Sequence, residues 1–297
     1  MRVQLIVTGD LEQIALGDSL ARLFQRAGSP IEFLRSAKVN GTTSHPLPDP
    51  VLFPSSTDIP SPMRRMARRI VADATQSRVK GQAPPDLVIG VDDVELANVA
   101  RPGRVVGWLK RAVLAEVEAM YPSLHAAERV RAQLRERCSF HLLCPMIEGY
   151  FFPDRAALQR AGVAAGIPVR SRNSDVEQFE TDDAGFLPIA RAENERKHTI
   201  ERKPWWFEER HPKRYLEWLI TQSGSIYEET LAGVEALKAL EWSRAASTPA
   251  VTPYLRALVQ DIADQFQVPS PLRAGTPSPW TYPSRAMRDG ERTLRNL

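Results

Sequence analysis

The strongest chemical signal in the sequence is an acidic group, Asp92, Asp93 and Glu95, set directly after the apolar run Asp86-Leu-Val-Ile-Gly-Val91. Carboxylates this close repel one another. They are best tolerated around a hard cation such as Mg²⁺ or Mn²⁺, which takes oxygen ligands. Glu12, one turn into a helix expected after the first strand, can approach the same place. Glu148 lies in Met146-Ile-Glu-Gly-Tyr-Phe-Phe152, where burial without a partner would be costly. It reads either as a further ligand or as one half of a salt bridge to an arginine. The local alternative for the acidic group is that Asp92 or Asp93 caps the next turn while Glu95 is solvated.

Two cationic patterns could meet a polyanion. Arg64, Arg65, Arg68 and Arg69 fall on one side of an expected helix, a face that could track nucleic-acid phosphates or simply be solvated. Arg202-Lys-Pro-Trp-Trp-Phe-Glu-Glu-Arg-His-Pro-Lys-Arg-Tyr215 mixes cations with aromatics, which suits stacking and phosphate contact or an aromatic anchor on the core. Other chemistries are missing. There is no phosphate-cradling glycine loop and no dinucleotide fingerprint, and no serine sits in a nucleophile elbow. Cys138, His141 and Cys144 resemble zinc ligands only on paper: on a strand, His141 points away from the other two.

The elements that must position these residues alternate. Val3–Val7 reads as a strand, with Asp10 capping a helix whose face carries Leu16, Leu20, Leu23 and Phe24. Ile31–Leu34 is a second strand. Residues 41–62 hold six prolines and read as a loop before a helix over 63–77. Strands over 86–91 and 139–144 flank an amphipathic helix with Val106, Leu109, Val113, Val117 and Met120. Such alternation predicts an α/β fold, a mostly parallel sheet covered on both faces.

After Pro168 the pattern changes. Residues 170–210 read as an irregular excursion. Helices come next around Tyr215–Leu219, Leu231–Leu237 and Leu255–Phe266, forming a helical C-terminal lobe. The division expected is therefore 1–167, 168–267 and a Pro/Arg-rich tail over 268–297, read as exposed and contributing little to the core. With 297 residues, 43% of them hydrophobic, the chain can bury a sizeable core. Its net charge of +3 points to local basic faces, and two cysteines argue against a disulfide framework. No segment reads as a signal peptide or membrane span, so a cytoplasmic protein is expected.

The order of parts resembles a group of uncharacterised bacterial proteins with a Toprim-like core, related in fold to the nuclease domain of the OLD family. The matching segments are Val7-Thr-Gly-Asp-Leu-Glu12, Val91-Asp-Asp-Val-Glu-Leu96 and Phe140-His-Leu-Leu-Cys-Pro-Met-Ile-Glu148 continuing to Asp154. Also matching are His211-Pro-Lys-Arg-Tyr-Leu216 and Tyr227-Glu-Glu-Thr-Leu-Ala-Gly233. The resemblance implies a Toprim-like metal-dependent nuclease: Asp92, Asp93 and Glu95 on Mg²⁺ or Mn²⁺, Glu12 and Glu148 completing the acidic shell, and the arginine face holding nucleic acid. One departure stands out. Toprim enzymes carry a glutamate immediately before the glycine that comes after the first strand, and here that position is Thr8. Asp10 or Glu12 could substitute. The alternative implied is a catalytically degenerate interaction module, acting beside a separate ATPase or other partner in phage defence.

Overall fold

In a computed structural model, residues 1–50, 59–76, 81, 83–248, 250–282 and 292–297 are described. The middle of the proline-rich 41–62 loop and part of the tail lie outside them. Among the described residues, four strands, β1 (Arg2–Val7), β2 (Glu32–Lys38), β3 (Leu87–Asp93) and β4 (Cys138–Leu143), form one sheet in the order β2-β1-β3-β4. Every pairing is parallel, so the protein is α/β with an all-parallel sheet. β3 is short, apolar and central because it is buried on both faces, as strands of covered parallel sheets are.

Helices α1 (Asp10–Arg26), α2 (Ser61–Thr75), α3 (Pro102–Met120) and α4 (Leu124–Arg137) carry the crossovers. α1 covers the face that holds Val3, Leu5, Val7, Ile89 and Val91. α2, α3 and α4 cover the other, with Ile6, Val88 and Phe140. The side-chain alternation of a strand sorts these residues without exception. Gly90 permits the close approach of α2: a Cβ there would lie 3.0 Å from the Ile70 side chain and 3.0 Å from Phe140.

Beyond β4 the chain continues as α5 (Arg155–Ala161), α6 (Leu187–Thr199), α7 (Pro212–Thr221), α8 (Val234–Ala239), α9 (Trp242–Ala245) and α10 (Pro253–Phe266). Their buried residues, including Leu158, Leu216, Leu219, Leu237, Leu255 and Ile262, join the cluster of β1, β3 and α1. The core is continuous across residue 167. α6 corrects the expectation of an irregular 170–210 segment: it buries only Ala190 and Lys197, so it has no apolar stripe to read. Asp10 is not a cap. Gly9 holds that position, and Asp10 pairs with Lys38 at 2.6 Å. Leu231, placed on an apolar face by its spacing, is 63% exposed.

The tail departs furthest from expectation. Leu272, Leu294 and Leu297 are buried, and residues 292–297 lie along the outer edge of β4. The Arg295 amide donates to the Cys138 carbonyl at 2.8 Å. The Asn296 side chain imitates a neighbouring strand: its amide donates to the Phe140 carbonyl at 2.7 Å, and its oxygen accepts from the Phe140 amide at 3.1 Å. Arg295 also pairs with buried Asp261 at 2.6 Å, and Asp261 bonds His141 at 3.1 Å. His141 is thus a core residue, and Cys138 and Cys144 are buried and free, as the strand argument requires. An otherwise open sheet edge is covered.

Burying two leucines contributes about 1.5–3 kcal/mol each, and 1 kcal/mol moves the midpoint of a chain this large by about 2–4 °C. Deleting residues 292–297 should therefore lower Tm by at least about 5 °C in a thermal melt. An unchanged Tm would contradict the docked edge.

Candidate active site: an acidic cleft beyond the strand ends

The chain passes from β1 to β2 on one side, then crosses to β3 on the other, so the topology reverses between β1 and β3. Ligands of open α/β sheets bind at such a switch, beyond the carboxyl ends of the strands. A cleft of about 390 Å³ lies there. Each strand supplies lining residues from its carboxyl end: Thr8 and Gly9 after β1, Gly41, Thr43 and Ser44 after β2, Asp93 and Glu95 at β3, and Met146 to Glu148 after β4.

All five acids read from the sequence meet in this cleft: Glu12, Asp92, Asp93, Glu95 and Glu148. Glu217 and Glu229 join them, with Trp206, His211, Lys213 and Arg214 on the wall supplied by the later half of the chain. Glu148 resolves toward a salt bridge, although with a lysine: Lys213 Nζ lies 3.5 Å from its Oε1 and also bonds Glu229. Lys213 and Glu229 carry no assigned role in the sequence reading, yet both fall in the segments that resemble the Toprim-like group.

Glu12 reaches the cleft by folding back over Gly9. A Cβ at residue 9 would sit on its carboxylate, so a side chain there would displace Glu12 from this position. Burial pushes Glu12 up to about 8, with Glu148, Glu229 and Asp92 adding to the rise. Glu95 is raised to about 7 by burial and by Glu148 and Asp92. It also holds φ of 60°, a left-handed conformation that costs a non-glycine residue about 1–3 kcal/mol. Burial and the surrounding acids raise Asp93 well above the usual carboxylate range. Its Oδ1 is enclosed without a hydrogen-bond partner. His211 is driven down to about 3 by burial and by Arg214, Lys213 and Lys197, so the ring is neutral.

Asp92 differs from its neighbours. Adjacent strand residues point to opposite faces, so it diverges from Asp93. Its Oδ1 accepts from the Thr8 hydroxyl at 2.6 Å, and its Oδ2 accepts from the Thr42 hydroxyl and, at 3.3 Å, the Thr42 amide. Burial raises it to about 6 against the lowering effect of these bonds.

The arginine face is elsewhere. None of Arg64, Arg65, Arg68 and Arg69 lines the cleft. Arg64 and Arg68 close on the fully buried Glu116 at 2.9 and 2.8 Å, and Arg69 pairs with Asp73 at 3.0 Å. Arg65 is exposed beside Ser61. Three of the four guanidiniums thus already have carboxylate partners. Trp206 is similarly engaged, with Lys197 4.5 Å from its ring centroid.

The donor set is all oxygen, its carboxyl groups outnumber the cations Lys213 and Arg214 beside them, and one of its oxygens is orphaned. That chemistry fits a hard divalent cation. Among the described residues, however, no group of three or more His, Cys, Asp or Glu side chains is arranged to hold a metal ion. No described helix is long and apolar enough to cross a membrane. Searches of protein-family models, curated proteins and solved structures return no match to the chain.

A carboxyl that keeps its proton to about pH 8 in the native state, but only to about 4.5 when unfolded, binds more protons when folded. Stability then falls as pH rises through that interval. Glutamine at position 12 removes the effect. The Tm of Glu12→Gln minus that of the intact protein should grow from near zero at about pH 5 to several degrees at about pH 8. A difference independent of pH would show that Glu12 is not held protonated.

Proposed function

We propose that the cleft is the active site of a Toprim-like, Mg²⁺- or Mn²⁺-dependent phosphodiesterase acting on nucleic acid. One observation carries this reading: five segments spread from Thr8 to Glu229 deliver acidic and basic groups to one cleft at the switch point of a parallel sheet. These are the same five segments on which the resemblance rests.

Asp93, Glu95 and Glu148 are the donors proposed for the metal, which would have to draw them together from the arrangement described and would supply Lewis acidity and a water of lowered pKa. Lys213 and Arg214 sit where they can orient a phosphate. Glu12, titrating near neutrality, is suited to hold or release a proton at its carboxylate. It thereby supplies the acid or base that Thr8 cannot, because a hydroxyl does not exchange protons near neutral pH. The strained backbone at Glu95 is consistent with a site that keeps its geometry at some cost to stability.

Thr8 also favours a second reading. Its hydroxyl, with that of Thr42, occupies both Asp92 oxygens, as suits a degenerate module that keeps the fold and acts beside an ATPase or another partner, as in phage defence.

Cleavage of fluorescently labelled single- and double-stranded oligonucleotides with Mn²⁺ separates the two. The first reading predicts metal-dependent cleavage that drops about 10²- to 10⁴-fold in Glu12→Gln, the usual cost of a lost general acid or base. Asp93→Asn should weaken Mn²⁺ binding as well. Mn²⁺ binding with no cleavage of any oligonucleotide would favour the module, and no Mn²⁺ binding would sink the metal site.

A further inference from the structure

The loop after β2 forms one wall of the cleft through Gly41, Thr43 and Ser44. Next to Ser44, the His45 ring meets Trp205 edge-on with centroids 5.9 Å apart, and the neighbouring Trp206 lines the cleft. The far half of this loop is tied to the helical layer. Asn98 accepts from the Leu47 amide at 2.9 Å and donates to the carbonyls of Thr43 and His45 at 2.7 and 3.0 Å. Arg104 and Trp108 donate to the carbonyls of Leu47 and Pro48 at 3.1 and 2.8 Å. The near half is held at Val39, whose amide donates to the Val7 carbonyl at 2.9 Å, and at Thr42.

Thr42 is held by Asp92. That aspartate is 2% exposed, points to the face opposite Asp93, and accepts hydrogen bonds at both oxygens. It joins the chain just beyond three strand ends: Thr8 after β1, Thr42 after β2 and its own place on β3. We propose that Asp92 is a positioning residue, a latch that holds the 41–46 wall of the cleft, rather than a metal ligand. The value of that wall to catalysis rests on the active-site reading above; the latch itself does not.

Asparagine at 92 has one acceptor oxygen and cannot accept from Thr8 on one side and the Thr42 amide and hydroxyl on the other. Valine at 42 removes the same hydroxyl bond while leaving Asp92 in place, so it tests the latch without touching the buried charge. Hydrogen exchange of the amides over 41–45 is the direct readout, with α2 and α3 as internal controls for global stability. Loss of a hydrogen bond to a charged group should raise local exchange about tenfold or more. Asp92→Asn and Thr42→Val should share this rise, Thr42→Ser should restore protection, and the double variant should exchange no faster than either single one.

In parallel, Mn²⁺ titration by calorimetry should give Asp92→Asn and Thr42→Val affinities within about threefold of the intact protein, whereas Asp93→Asn loses at least the roughly tenfold that removing a ligand's hydrogen-bond partner already costs. The proposal is overturned if loop exchange is unchanged in Thr42→Val. It is equally overturned if Asp92→Asn abolishes Mn²⁺ binding with loop protection intact. If the intact protein takes up no Mn²⁺, the active-site reading fails, and the exchange measurement still decides the latch.

Discussion

The cleft concentrates more carboxylates than the folded chain neutralises. Glu12, Asp93, Glu95, Glu148 and Glu229 converge on one lysine that bridges two of them. Burial disfavours the charged form of these groups and the neighbouring acids add to the effect, so Glu95 is raised to about 7 and Glu12 to about 8. The rest of the architecture can be understood as the frame that holds these groups together despite their repulsion. The sheet supplies it, because all four parallel strands turn their carboxyl ends to the same side and deliver the residues there to one place. The two apolar clusters pack on either face of β1 and β3.

Within that arrangement, adjacent residues have opposite roles. The pleat separates Asp92 from Asp93. Asp93 turns toward Glu12 and Glu148 with an oxygen left unpaired. Asp92 turns toward two threonines that use up its acceptor capacity. Thr8 therefore has a partner in this chain, the Asp92 carboxylate. Gly9 carries no side chain, and the Glu12 carboxylate lies over it.

Much of this is legible in the sequence where it depends on local pattern. The runs of β1 and β3, the stripe of α3 and the acids after β3 are all readable, and the five acids do meet. The sequence places the aspartates beyond a strand ending at Val91, but the strand runs through Asp93; that extension is what splits the pair. α4 escapes the sequence reading because it buries only Ala127, Val130 and Leu134. The arginine face of α2 is readable as a face, but its partner Glu116, 48 residues from Arg68, is not. Nothing local marks Asn296 as a mimic of a strand, or Lys213 as the counter-ion of Glu148. Those depend on which distant segments the fold brings together, and a basic residue in a charged stretch has many possible partners.

The proposal on which most depends is that the cleft's surplus of carboxyl groups forms a cation site. A crystal structure determined after soaking in Mn²⁺, with anomalous data, tests it most directly. The account predicts an anomalous peak bounded by Asp93, Glu95 and Glu148, with Lys213 drawn away from Glu148 and Asp92 still bonded to Thr8 and Thr42. Carboxylates that stay dispersed around Lys213, with no peak in the cleft at millimolar Mn²⁺, would contradict it.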